Sequence, residues 1–214
     1  MGVITKIEAQ RNKARVNLYI DGSFFCGLMA ETAIANGLKE NQEVDEEYLK
    51  EVIAQSEKRR AMDYCLGIMA KKAYTRYEIK TKLLAKGYSE DVVFGVLNKL
   101  SEYNYLNDEE YAKNYAANCG LKSARQVEQK LIQKGVAREN IQNAVNMLKK
   151  SGESAKIATI SAKYIKNKPK TDETFNKLFR YLVAKGFGFE EVKSEIRRLK
   201  EDESWDWFSW NSKI

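Results

Sequence analysis

One phrase is written three times along this chain, and it constrains the fold more than any other feature. The copies are KLLAKGYSEDVVFGVLNKL (residues 82–100), KLIQKGVARENIQNAVNML (130–148) and YLVAKGFGFEEVKSEIRRL (181–199). Apolar residues recur at helical spacing on both sides of a Lys-Gly pair, which predicts two amphipathic helices meeting at the glycine. The glycines are 48 and 51 residues apart, a period typical of tandem helical units.

The Lys-Gly pairs are predicted to be structural joints, because glycine readily adopts the left-handed conformation in which many helices end. They are Lys86 and Gly87, Lys134 and Gly135, and Lys185 and Gly186. Helix starts are predicted twelve positions before these glycines, at Thr75, Ser123 and Thr174. Glu78 and Gln126 complete capping boxes for the first two, whereas the third has no such partner.

Each phrase is preceded by one more helical stretch, so each unit is predicted to be a three-helix bundle. The first thirty residues instead contain short β-branched and aromatic runs, with Asp21 and Gly22 suited to a type I′ hairpin turn. The predicted fold is mainly α: three tandem three-helix repeats forming an elongated chain of roughly 60–70 Å, preceded by a small antiparallel sheet of about three strands.

The predicted domains are a β region with a short helix (1–55), three repeats (56–104, 105–150 and 151–202) and a tryptophan-rich tail (203–214). The formal net charge is +7, and it is unevenly distributed. The β region carries −3, whereas the repeats carry +4 and +3 and the segment from residue 151 onward carries +3. A basic balance favours anionic partners, although a solvated charged surface is the plainer alternative.

Basic residues of the first turn and of the repeats are the candidate contacts to a nucleic acid or a protein partner. Lys156, Lys163 and Lys166 are predicted to form a stripe beside apolar residues of one helix. Many tyrosines also lie among the lysines, where they either stack on bases or pack between helices. The candidate contacts are Arg11, Lys13, Arg15, Lys71, Lys72, Arg76, Lys122, Arg125, Lys156, Lys163, Lys166, Lys168 and Lys170.

Catalytic patterns are missing from the sequence. The chain has no histidine, the usual general base and metal ligand, and its three cysteines lie far apart. No phosphate-binding loop or nucleophile motif occurs. We therefore expect no enzyme activity, no cofactor and no metal. The cysteine usage, with no membrane-length apolar run and no signal-peptide pattern, predicts a cytoplasmic protein.

The stretch TRYEIKTKLLAKGYSEDVVFGVLNKLSEYNYLNDEEYAKNY (residues 75–115) resembles the RecX family of bacterial recombination regulators. ARQVEQKLIQKGV and LFRYLVAKGF are similar to its second and third repeats, so the resemblance covers about residues 57–200. The N-terminal β extension resembles that of longer, Gram-positive forms. The sequence departs from the family pattern at Tyr74, where an arginine is usual, and at Asn104, where a glycine is usual.

The resemblance implies a negative modulator of RecA that binds the groove of the RecA–DNA filament. Such a protein inhibits ATP hydrolysis and strand exchange, and so regulates DNA repair, recombination and the SOS response. DNA, single- or double-stranded, is then contacted directly or within the filament. The alternatives are a general DNA- or RNA-binding helical array, which acts without a recombinase, and a scaffold of helical repeats with no DNA role. The tail with Trp205, Trp207 and Trp210 either docks on the last repeat or binds a partner.

Overall fold

The computed structural model describes residues 1–150 and 152–202, so the predicted tryptophan-rich tail lies outside the described residues. The chain divides into two compact units, Met1–Asn107 and the unit that begins at Asp108. The elements are β1 (Gly2–Ala9), β2 (Arg15–Ile20), β3 (Ser23–Met29), α1 (Ala30–Ala35), β4 (Glu43–Val44), α2 (Glu46–Met69), α3 (Arg76–Lys86), α4 (Glu90–Glu102), α5 (Asp108–Ala117), α6 (Ala124–Gln133), α7 (Arg138–Lys150), α8 (Ser154–Ile165), α9 (Asp172–Ala184) and α10 (Phe189–Glu201).

The N-terminal sheet is antiparallel with the strand order β3-β2-β1-β4. Its hairpin turn is confirmed, since Asp21 and Gly22 have φ angles of 47° and 79°, as a type I′ turn requires. The prediction of about three strands was one strand short. The fourth strand pairs Val44 with Gly2 and is only two residues long, too short to produce a detectable alternating pattern.

Helix α2 connects the sheet to the first bundle. Asp45 caps its start by accepting a hydrogen bond from the backbone N–H of Tyr48. Leu49 belongs to the core beneath the sheet, whereas Cys65 belongs to the core of the first bundle. The helix is continuous through residue 55, where the sequence had suggested a boundary. One helix therefore contributes to both cores.

Three separate hydrophobic cores correspond to the three repeated phrases. The helices α2, α3 and α4 surround the first, α5, α6 and α7 the second, and α8, α9 and α10 the third. The glycines after α3, α6 and α9 all have the predicted positive φ angle, with 95° at Gly87, 70° at Gly135 and 86° at Gly186. The mainly α fold of three-helix repeats after a small sheet is thus confirmed.

The predicted helix starts were correct for two repeats and wrong for the third. Both capping boxes form, at Thr75 and at Ser123. Helix α9 begins three residues earlier than predicted, because the hydroxyl of Thr171 accepts a hydrogen bond from the N–H of Thr174. Thr174 is itself buried in the first turn, where two acidic residues complement the helix dipole.

Candidate functional site

The candidate basic residues fall into two groups. Nine of them are exposed: Arg11, Lys13, Lys71, Lys72, Lys122, Arg125, Lys163, Lys166 and Lys168. Four others are partly buried, and their cationic groups donate hydrogen bonds within the chain: Arg15, Arg76, Lys156 and Lys170. The second group stabilises the fold, because each internal bond ties its side chain to a group distant in the sequence.

Arg15 on β2 joins the sheet to the first bundle. Its guanidinium donates one hydrogen bond to the carbonyl of Gly87 and another, of 2.9 Å, to that of Gly27. The sequence had placed Arg15 with Arg11 and Lys13 at an exposed turn. The structure corrects that placement for Arg15 alone, since Arg11 and Lys13 remain exposed.

Other contacts hold the sheet region and the first bundle together as one unit. The buried carboxylate of Glu57 accepts a hydrogen bond of 2.5 Å from the N–H of Met29. Arg60 on α2 forms a salt bridge of 2.6 Å with Glu31 on α1. The hydrogen bond and positive charge of Arg60 lower the pKa of the Glu31 carboxyl.

Arg76, at the start of α3, is anchored to α4. Its guanidinium donates to the carbonyl of Leu97, to the hydroxyl of Ser101 at 2.9 Å and to the side chain of Asn98 at 2.6 Å. A planar guanidinium suits this set of converging acceptors. Arg76 thus cross-links two helices of the first bundle.

The predicted stripe of Lys156, Lys163 and Lys166 on one helix is wrong. Helix α8 ends at Ile165, so Lys166 lies beyond its last helical residue, in the turn that follows. Lys156 is half-buried and donates a hydrogen bond of 3.1 Å to the carbonyl of Lys122. Lys163 and Lys166 remain exposed at the end of the helix.

The second and third bundles meet where α6 begins and α9 ends. The hydroxyl of Ser123 donates a hydrogen bond of 2.7 Å to the carbonyl of Lys185. Arg125 lies directly against the neighbouring glycine, since a Cβ added at Gly186 would stand 2.9 Å from the Cβ of Arg125. This Lys-Gly joint is therefore also a contact surface between two bundles.

The lysine of every Lys-Gly joint lies over a tyrosine ring. The ammonium nitrogen is 4.6 Å from the ring centroid for Lys86 and Tyr64. The same distance is 5.7 Å for Lys134 and Tyr111, and 4.9 Å for Lys185 and Tyr181. These are cation–π distances.

A second lysine covers a second tyrosine in each bundle. The nitrogen-to-centroid distances are 4.6 Å for Lys72 over Tyr74, 5.7 Å for Lys122 over Tyr115 and 3.2 Å for Lys168 over Tyr164. The rings of Tyr111 and Tyr115 stack at 6.4 Å, and those of Tyr164 and Tyr181 lie 5.1 Å apart. Two continuous lysine–tyrosine rows result: row A is Lys122, Tyr115, Tyr111 and Lys134, and row B is Lys168, Tyr164, Tyr181 and Lys185.

The tyrosines among the lysines are evident in the sequence, but their pairing with particular lysines was not predicted. A signal was present, since Tyr64 precedes Gly87 by 23 positions and Tyr111 precedes Gly135 by 24. The pairing in row B depends on a contact between α8 and α9, which no short motif reveals. A groove of about 350 Å³ between α2 and α4 was also not predicted; Lys58, Arg59 and Lys99 are among the residues that line it.

No helix within residues 1–150 and 152–202 is long and apolar enough to cross a membrane. In the same residues, no group of three or more Cys, Asp or Glu side chains is arranged to hold a metal ion.

Known proteins resemble this chain over nearly its full length. The regulatory protein RecX of Clostridium perfringens is 32% identical over 209 residues, which cover 95% of this chain and 99% of that protein. The chain belongs to the RecX family. The regulatory protein RecX of Clostridium tetani is also 32% identical, over 92% of this chain and 94% of its own length.

Two RecX domain models match separate parts of the chain. The regulatory protein RecX N-terminal domain matches residues 2–45, which contain the sheet and α1. The first three-helix domain of RecX matches residues 61–100, which contain α3 and most of α4. The β region and the first bundle are thus recognised as RecX domains.

Solved RecX structures share the fold. A crystal structure of regulatory protein RecX is 25% identical, has a TM-score of 0.64 and covers 92% of this chain. RecX from Lactobacillus salivarius is 21% identical, with a TM-score of 0.62 over 69% of this chain, and shows the fold alone. Asn104 stands where the RecX pattern usually has a glycine. Its φ of 57° lies in the left-handed region that glycine favours, so this departure keeps the backbone conformation of a glycine.

Proposed function

We propose that this chain is a negative modulator of the RecA recombinase. It binds in the groove of the RecA–DNA filament, inhibits ATP hydrolysis and strand exchange, and thereby regulates recombination and repair. Membership of the RecX family over nearly the whole chain is the observation that carries the proposal. The repeated three-helix bundles support it, since a repeated module suits a partner that is itself repetitive.

The exposed basic residues are the proposed contacts with the filament. Arg15, Arg76, Lys156 and Lys170 are left out of this set because their cationic groups bind within the chain. Lys163 and Lys166 are the contacts we single out, because both are exposed where α8 ends. Lysine ammonium groups there are suited to DNA phosphates or to acidic side chains of the filament.

The first test is RecA-catalysed, single-stranded-DNA-dependent ATP hydrolysis. Substoichiometric amounts of the protein are added to preformed filaments at two salt concentrations. We expect inhibition well below one protein per RecA, because a groove-bound modulator acts on many protomers. Absence of inhibition, or inhibition only when the protein is abundant enough to coat the DNA, would favour the general nucleic-acid binder instead.

Charge reversal tests the contact assignment. We expect the double variant Lys163→Glu and Lys166→Glu to inhibit the RecA ATPase at least tenfold more weakly than the unmodified protein. The matched control is Lys149→Glu with Lys150→Glu, two exposed lysines at the end of α7. Equal inhibition by the two double variants would remove Lys163 and Lys166 from the contact set.

A further inference from the structure

We propose that lysine–tyrosine rows A and B bind single-stranded DNA directly. Bases stack on the tyrosine rings, and the lysines at the ends of each row contact the phosphates. The inference rests on the proposed function for its setting, a regulator that works on a DNA filament. It adds the class of nucleic acid, the residues and the mode of contact.

The rings of both rows are anchored on the hydrophobic cores, and none of them is fully buried. Tyr111 and Tyr115 pack against the core of the second bundle, and Tyr164 packs against that of the third. The three are half-buried, whereas 40% of Tyr181 is exposed. A ring anchored on its core side loses little conformational freedom when a base stacks on its outer surface.

Each lysine now covers the ring surface that a base would need. In row B, the nitrogen of Lys168 is 3.2 Å from the centroid of Tyr164, and that of Lys185 is 4.9 Å from the centroid of Tyr181. An exposed ammonium–ring contact is weaker than the stacking of a base on an aromatic side chain. A base therefore displaces the ammonium group, which becomes available for a phosphate of the same strand.

Two adjacent rings with a cation at each end favour a single strand over other anions. In a duplex the base faces are already stacked on each other, so only phosphates are left for the lysines. An acidic peptide provides carboxylates for the lysines but no flat ring for the tyrosines. A single strand provides both, and stacking on its bases tolerates any sequence because every base has a π-face.

Neighbouring basic groups extend the surface between the two rows. The carbonyl of Lys122, in row A, accepts a hydrogen bond from Lys156. Lys185, in row B, binds Ser123 through its carbonyl, and Arg125 lies against Gly186. Glu153 is an acidic residue near this surface, and its carboxylate accepts a hydrogen bond of 2.7 Å from the N–H of Ala124 at the start of α6. The two rows therefore lie around one basic junction.

The decisive comparison uses the unmodified protein without RecA. Its affinity is measured for an oligothymidylate and for an abasic strand of the same length, which keeps the phosphates and lacks the bases. We expect the abasic strand to bind on the order of tenfold more weakly. Equal affinity for the two strands would overturn the stacking proposal, because phosphate contacts alone would then account for binding.

Two matched variants locate the stacking surface. One replaces Tyr111, Tyr115, Tyr164 and Tyr181 with leucine, and the other replaces the same four residues with phenylalanine. The phenylalanine variant keeps the rings, so we expect it to bind oligothymidylate within about threefold of the unmodified protein. We expect the leucine variant, with its helix content verified by circular dichroism, to lose about tenfold or more. Similar affinities for the two variants would overturn the assignment to these rings.

Failure of this inference is distinguishable from failure of the proposed function. Inhibition of the RecA ATPase together with equal binding of the abasic strand would leave a filament modulator without stacking rows. Base-dependent binding of single-stranded DNA without inhibition of RecA would support the rows and contradict the proposed function.

Discussion

The hydroxyl of Ser123 donates a hydrogen bond to the carbonyl of Lys185 and thereby joins the second and third bundles. The same hydroxyl accepts a hydrogen bond from the N–H of Gln126 and so caps α6. Arg15 and Gly87 form the corresponding link between the sheet and the first bundle. In each compact unit, one Lys-Gly joint thus accepts a hydrogen bond from an earlier part of the same unit. The donor belongs to the sheet in the first unit and to the second bundle in the second unit.

Replacing Ser123 with alanine removes a helix cap and an inter-bundle hydrogen bond together. We expect the free energy of unfolding to fall by about 2 kcal/mol, because each lost interaction contributes about 1 kcal/mol. Ser89→Ala is the control, since Ser89 caps α4 through the N–H of Val92. Urea unfolding followed by circular dichroism gives both values. Equal losses would mean that the bond to Lys185 contributes nothing.

Replacing Arg15 with glutamine removes the two guanidinium bonds to backbone carbonyls. We expect a loss of roughly 1.5–3 kcal/mol in the stability of the first unit, the range for hydrogen bonds from charged groups. Arg11→Gln, at an exposed position of the turn that precedes β2, is expected to change stability by less than about 0.5 kcal/mol. A thermal unfolding curve of each variant makes the comparison. A destabilisation by Arg11→Gln as large as that by Arg15→Gln would contradict the assigned role.

Replacing Gly186 with alanine is unfavourable for two reasons: the backbone φ angle is positive, and the added Cβ would clash with the side chain of Arg125. Gly120 also has a positive φ, of 60°, but open space around it, so alanine there has the unfavourable backbone angle and no clash. We expect Gly120→Ala to cost about 1 kcal/mol. Gly186→Ala should cost roughly 1–3 kcal/mol more, as overpacking does. Indistinguishable urea midpoints would show that the close approach of Arg125 is easily relieved.

Two thiols are expected to react slowly in the folded protein. Burial raises the pKa of Cys65 to about 11, and burial, followed by the charge of Glu57, raises the pKa of Cys26 to about 11. Because a raised pKa keeps a thiol protonated, few thiolates exist at pH 8, and alkylation should accelerate as the pH approaches 11. Iodoacetamide labelling read by peptide mass spectrometry should be on the order of a hundredfold slower than in strong denaturant. Equal rates in the two conditions would contradict the raised pKa of these thiols in the folded protein.

The sequence by itself determined the local structure of this protein. The hairpin turn at Asp21 and Gly22, the capping boxes at Thr75 and Ser123, and the three glycine helix ends depend on residues that are near in sequence. Their physical causes are local: a left-handed conformation, or a side chain that binds the backbone three residues away. The start of α9 was missed because Thr171 and Thr174 are both suitable caps, and only burial distinguishes them.

The tertiary structure alone decided which basic residues face the solvent. A lysine or arginine has the same charge in the sequence whether it is exposed or bound to a distant carbonyl. Arg15 meets Gly87 across 72 positions, and Arg76 meets Asn98 across 22. Row B likewise requires Tyr164 and Tyr181 to meet between two helices. Such contacts depend on how helices pack, which the periodicity of each helix does not specify.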